Sequence, residues 1–133
     1  TTKDVVVQLS NIATYPVTVD YAVDGTTTAT GSGTDYTFTG GSLSFAAGSS
    51  VLTLAPSIAE DTIYEVPDEF IDLSLANPST SLGTNTAHRL TITDDDGKPE
   101  FEMASAASSV AENVAATYVV LTVTLSHQAS VAT

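Results

Sequence analysis

Apolar and polar residues alternate with a period of two in short runs along most of the chain. Residues 5–9 (Val5-Val6-Val7-Gln8-Leu9) form one run. In the next, Val17, Val19, Tyr21 and Val23 share one face, and Asp24-Gly25 supplies a turn after it. Residues 26–33 are small and polar and read as a loop. Tyr36 and Phe38 alternate before Gly40-Gly41, and Leu43 and Phe45 alternate after it, ending at Ala47-Gly48. A strand opening with Val51-Leu52-Thr53-Leu54 reaches about Ile58, another covers 70–75 before Asn77-Pro78, and 88–93 runs into Asp94-Asp95-Asp96. No stretch carries a 3.6-residue stripe, so helix is expected to be nearly absent. About seven short strands, with turns roughly every 8 to 12 residues, predict an all-β fold, an immunoglobulin-like antiparallel β-sandwich.

The pattern breaks at Gly97-Lys98-Pro99 and restarts with Glu100-Phe101-Glu102-Met103. Residues 109–113 read as a turn, and 118–126 as the strongest strand in the sequence. That strand resembles the first one: Leu121-Thr122-Val123-Thr124-Leu125-Ser126 lies over Val5-Val6-Val7-Gln8-Leu9-Ser10 at an offset of 121 − 5 = 116 residues. The expected organisation is a repeat over 1–96 that lacks its opening strand, a linker at 97–99, and the first two strands of a following repeat over 100–133.

Composition narrows the function. With 133 residues and 42% apolar content the chain can bury one core. Cysteine is absent, which removes disulfides, thiolate metal sites and cysteine nucleophiles. No apolar run approaches the roughly 20 residues that cross a bilayer. No signal peptide opens the sequence, so a soluble module with any secretion signal outside these residues is expected. Sixteen acidic residues face only Lys3, Arg89 and Lys98, for a net charge of −13, which makes nucleic acid a poor partner. An enzyme is not expected. His88 and His127 stand far apart without a Gly-x-Ser-x-Gly elbow, and no Trp is present to wall a sugar cleft.

The acids are clustered at Glu60-Asp61, Glu65, Asp68-Glu69 and Asp94-Asp95-Asp96, and Asp35 sits in the Gly33-Thr34-Asp35-Tyr36 turn. Like charges this close repel unless something neutralises them, and three basic side chains cannot. Calcium can, because it takes about 6 to 8 oxygen ligands from carboxylates, carbonyls and water. In a sandwich, these loops meet at one pole if the strand before Glu60 and the last strand run the same way. Asp4, Asp20, Asp72, Glu100 and Glu102 instead read as solvated strand-face residues.

At these positions the chain resembles the Calx-beta family, calcium-binding modules of sodium–calcium exchangers that also occur in bacterial surface proteins. The matching motifs are Tyr21-Ala22-Val23-Asp24-Gly25-Thr26, Thr34-Asp35-Tyr36 and Gly41-Ser42-Leu43-Ser44-Phe45-Ala46-Ala47-Gly48. They continue with the acidic loop from Glu60 to Phe70 and with Thr91-Ile92-Thr93-Asp94-Asp95-Asp96. Ser109-Val110-Ala111-Glu112-Asn113 looks like the family's first-strand motif, whose Glu is a ligand. The resemblance implies Ca2+ ligands at Asp35, Glu60, Asp61, Glu65, Asp94, Asp95 and Asp96, with Asp68 as a further member and Glu112 for the first-strand position. Thr62 and Val66-Pro67 stand where relatives often carry more acids, so fewer ions are expected.

The function expected is a calcium-binding structural or regulatory module of an extracellular or cell-surface tandem-repeat protein, calcium rigidifying the loops at one pole. The alternative is an adhesive or carbohydrate-binding sandwich in which calcium is only structural; Tyr15, Tyr64 and Tyr118 are its only candidate platform, and each is expected to be packed. The partners expected are calcium ions and neighbouring repeats or a second copy. The linker is too short for 101–112 to fill the missing first strand in the same chain, since five residues reach at most about 18 Å. Donation to a neighbouring copy is expected, with an antiparallel fold-back of 100–112 as its replacement.

Overall fold

A computed structural model describes residues 1–112 and 120–131, and no helix occurs among them. The strands are β1 (Val5–Gln8), β2 (Val17–Val23), β3 (Tyr36–Thr37), β4 (Gly41–Phe45), β5 (Val51–Leu54) and β6 (Ser57–Ile58). They continue with β7 (Ile63–Val66), β8 (Glu69–Ala76), β9 (Ala87–Ile92), β10 (Phe101–Met103), β11 (Val123–Leu125) and β12 (Gln128–Val131). One layer is a four-stranded antiparallel sheet in the order β4-β2-β8-β9. The other is formed by the β1–β5 and β3–β6 ladders, which follow each other across Ala55-Pro56.

Alternation along each strand decides what faces inward. In β8 the residues Glu69, Ile71 and Leu73 are buried while Phe70, Asp72 and Ser74 are only half-buried. Ile71 and Leu73 pack with Val5, Tyr36 and Leu54 of the opposite layer, so the two layers close on each other. A second cluster joins Val17, Val19 and Phe45 to Val7, Leu9 and Leu52. The expected sandwich is therefore the observed fold. Ile71 has no exposed surface. Ile71→Ala is expected to cost about 2–5 kcal/mol by opening a cavity between the layers, read as a lower denaturation midpoint at unchanged m-value.

Several elements differ from the sequence reading. The run 51–58 is two strands, because Pro56 has no N–H for a ladder; its carbonyl accepts the Lys3 N–H at 3.1 Å. The acidic loop contains a strand, β7, which pairs in parallel with β12, Glu65 opposite Ser130. Of the long strand expected over 118–126, only Val123–Leu125 forms strand among the described residues, and 118 and 119 lie outside them. β10 pairs antiparallel with β11, Phe101 opposite Leu125 and Met103 opposite Val123, and it makes no ladder with residues 1–96.

Candidate metal centre

Five segments deliver the acids to one pole. Asp35 precedes β3, and its carbonyl accepts the Ala59 N–H at 2.8 Å, which fixes the turn beside the end of β6. Glu60 and Asp61 follow β6, Glu65 lies on β7, and Asp68-Glu69 opens β8. β9 ends at Ile92 and hands over Asp94-Asp95-Asp96. All of them line a single cavity of about 380 Å³. The eight acids expected as ligands within 1–96 are thus brought together. Glu112 is exposed and is not among the lining residues.

Glu69 joins them unexpectedly. Asp35, Glu65 and Glu69 form the tight centre, one carboxylate oxygen from each lying within 4.8 Å of the others. Two oxygens on opposite sides of a calcium ion, each at about 2.4 Å, would be about 4.8 Å apart. Glu69 is the buried member, 6% exposed. Its signal was in the sequence: alternation that puts Ile71 and Leu73 in the core also turns Glu69 inward and leaves Asp68 exposed.

Backbone donors aim several carboxylates. The Thr30 N–H donates to the Asp35 carboxylate. The Ile63 N–H donates to Asp61 Oδ1 at 2.8 Å, and the Asp96 N–H reaches Asp94 Oδ1 at 3.4 Å. Charge accumulates here without matching cations. Lys3 is the basic side chain lining the cavity. Arg89 is spent elsewhere: its Nε and one terminal nitrogen each donate to Asp72 at 2.7 Å, and its guanidinium stacks 3.6 Å from the Phe70 ring centre. That pairing pulls the Asp72 carboxyl down to about 2.

The carboxylates at the pole are pushed the other way. Desolvation, then a hydrogen bond and repulsion from Asp35, then repulsion from Glu65, raise Glu69 to about 7. Desolvation and the charges of Asp35, Asp61, Asp94 and Asp96 raise Glu65. Asp96 is raised by desolvation and by Asp94, Asp95 and Asp61, with His127 opposing. A buried carboxylate held by other carboxylates, with only oxygen donors around it, fits a hard divalent cation of calcium's size and charge.

Comparisons with known proteins bear on the fold and the family. The Calx-beta domain family model matches residues 1–96. The solved calcium binding domain CBD12 of CALX1.1 is similar at 28% identity and a TM-score of 0.63, covering 71% of this chain and 38% of its own length. The apo-form Calx CBD1 domain is similar at 28% identity and a TM-score of 0.62, covering 71% of this chain and 83% of its own. CBD12 from CALX1.2 gives 26% identity and a TM-score of 0.65, covering 85% and 45%. A search of curated protein sequences finds no match. This chain thus spans less than half the length of the CBD12 structures. Sandwich topology, the acidic pole and the family match lead to one conclusion: over residues 1–96 the chain belongs to the Calx-beta domain family.

Proposed function

We propose that the chain is a calcium-binding module, not an enzyme, in which Ca2+ ties the loops of the acidic pole into one rigid unit. The observation that carries this reading is the buried Glu69 carboxylate set against Asp35 and Glu65, in a cavity that nine carboxylates line with Lys3 as the basic side chain among them. Asp35, Glu65 and Glu69 would hold the ion at the base of the cavity, with Asp61, Asp94 and Asp96 completing the oxygen shell. Glu60, Asp68 and Asp95 stand at its rim, and Glu112 would serve the equivalent pole of another repeat.

The same reading makes 100–133 the opening of a following repeat in an extracellular array. The antiparallel β10–β11 pair and the likeness of 121–126 to 5–10 support it. The pole also adjoins the linker. A Cβ at Gly97 would come 3.2 Å from the His127 ring, so the chain between the two parts packs against the start of β12. Calcium at this pole would then stiffen the joint as well as the loops. For the adhesive alternative, Tyr15 is exposed rather than packed, Tyr64 is half-buried, and Tyr118 lies outside the described residues; one exposed ring is not a platform.

Calorimetric titration of chelator-stripped protein tests the proposal. Saturable calcium binding that equimolar magnesium does not displace is expected. Absence of binding up to millimolar free calcium would overturn it.

A further inference from the structure

The sandwich has an open seam. Among the described residues β1 pairs only with β5, and β9 only with β8, so each has a free edge. Between these edges runs a cavity of about 390 Å³, whose apolar lining includes Val5, Val7, Tyr21, Leu54, Leu73 and Leu75. A smaller cavity of about 110 Å³ adjoins it at Val7, Gln8 and Leu75, and includes Leu9. A free edge with an apolar groove behind it is a site for an added strand.

From these features we infer that the seam takes β10 of a second copy of this chain, in one defined register. The ladder of β1 with β5 is framed by Lys3 N–H to Pro56 carbonyl (3.1 Å) and Leu9 N–H to Ser50 carbonyl (2.8 Å). Odd-numbered residues of β1 therefore face β5, and Val6 and Gln8 turn their backbone groups to the open edge. The ladder of β10 with β11 is framed by Ala104 N–H to Thr122 carbonyl and Ser126 N–H to Glu100 carbonyl, both 3.0 Å. β10 thus engages Thr122, Thr124 and Ser126. Shifted by the 116-residue offset, these are Val6, Gln8 and Ser10. The chain itself shows how a β10 strand pairs with a β1-like partner, and the edge it needs is the one β1 leaves free.

In that register Glu102 stands opposite Gln8, Met103 opposite Val7 and Phe101 opposite Leu9. The faces agree as well. Val7 and Leu9 pack against the core, so Met103 and Phe101 would enter the seam while Glu102 stays in water with Gln8. In the hairpin with β11, Phe101 is 82% exposed and Met103 60% exposed. Exchange therefore buries two large apolar side chains for the same number of ladder bonds.

The donor is a second copy because the chain's own β10 is paired with β11, makes no ladder with β1, and follows the acidic pole after a short linker. Lys3 lines the acidic cavity, and Leu9 lies six residues further along β1, about 20 Å away at roughly 3.4 Å per residue. Phe101 follows Asp96, at the same acidic pole, by five residues, which span at most about 18 Å even when fully extended.

The test is disulfide trapping in the full chain, which has no native cysteine. Gln8→Cys and Glu102→Cys variants are mixed and oxidised, with Gln8→Cys plus Glu100→Cys as the out-of-register control. The in-register pair is expected to give at least about tenfold more linked heterodimer, because its Cα spacing suits a disulfide and the control's does not. Sedimentation of the unmodified chain is expected to show concentration-dependent self-association that Phe101→Asp abolishes. Phe101 is already exposed in the single chain, so that variant keeps its fold. Monomer at all concentrations, equal trapping yields, or a dimer indifferent to Phe101→Asp would each overturn the inference.

Discussion

Calcium added to the metal-free protein is expected to raise its melting temperature by about 10–20 °C. Nine carboxylates line one cavity of about 380 Å³, with Lys3 as the basic side chain among them. In the absence of an ion their mutual repulsion acts against the closed pole, which exists only when the sandwich is folded. A ligand bound only by the folded state stabilises it by about 4 kcal/mol at a thousandfold excess over its dissociation constant. For a domain of this size each kcal/mol moves the midpoint by roughly 3–6 °C. Sodium chloride alone should reproduce a small part of the rise by screening, and magnesium little more, because it resists giving up its water. Differential scanning calorimetry with and without chelator reads the effect. An unchanged melting temperature in saturating calcium would remove the central claim about the pole.

Glu69→Gln is expected to make the calcium-free protein more stable at pH 8 while weakening calcium binding about 100-fold. The size is almost conserved, so packing near Ile71 is kept, but the buried charge is gone. In the metal-free protein the Glu69 carboxyl sits at about 7 instead of its ordinary 4.5, pushed there by desolvation and by Asp35. A carboxyl raised on folding contributes stability below its unfolded value and loses it as pH rises through the folded one. The metal-free wild type should therefore melt progressively lower from about pH 4.5 to somewhat above 7, and the variant should lack that component. Calcium binding carries the opposite dependence. Below about pH 7 the ion must displace the Glu69 proton, which costs up to about tenfold in affinity per pH unit. Melting curves and calcium titrations across pH 5 to 8 for both proteins check the two halves separately. A variant with wild-type affinity would exclude Glu69 from the ion's shell.

The Arg89–Asp72 pair shows how little a charge inventory says about neutralisation. As a sequence, the one arginine near the acidic clusters is available to them. In the folded chain Asp72 and Arg89 are cross-strand neighbours on β8 and β9, and Phe70 lies one pleat away, so the guanidinium is taken up on the outer face. This leaves the pole more negative than the sequence suggested, and strengthens the case for a cation.

Local physics settled what could be read directly from the residues. Side chains on a strand alternate by geometry, so the period-two runs located β2, β8 and β9 closely, and turn residues separated them. Clusters of acids with too few bases implied a cation before any loop was placed, because charge balance does not depend on fold. Placement by tertiary contacts decided the rest. Whether Asp68 or Glu69 is the buried acid that joins Asp35 and Glu65 depends on which face of β8 meets the opposite layer. That β7 forms inside the acidic loop depends on β12, more than sixty residues away in sequence, arriving beside it. Pairing of β10 with β11, and the edges that β1 and β9 leave open among the described residues, follow from hydrogen-bond partners that no single segment specifies. Backbone groups carry no sequence signature of their own; only assembled strands show which of them remain open to a partner.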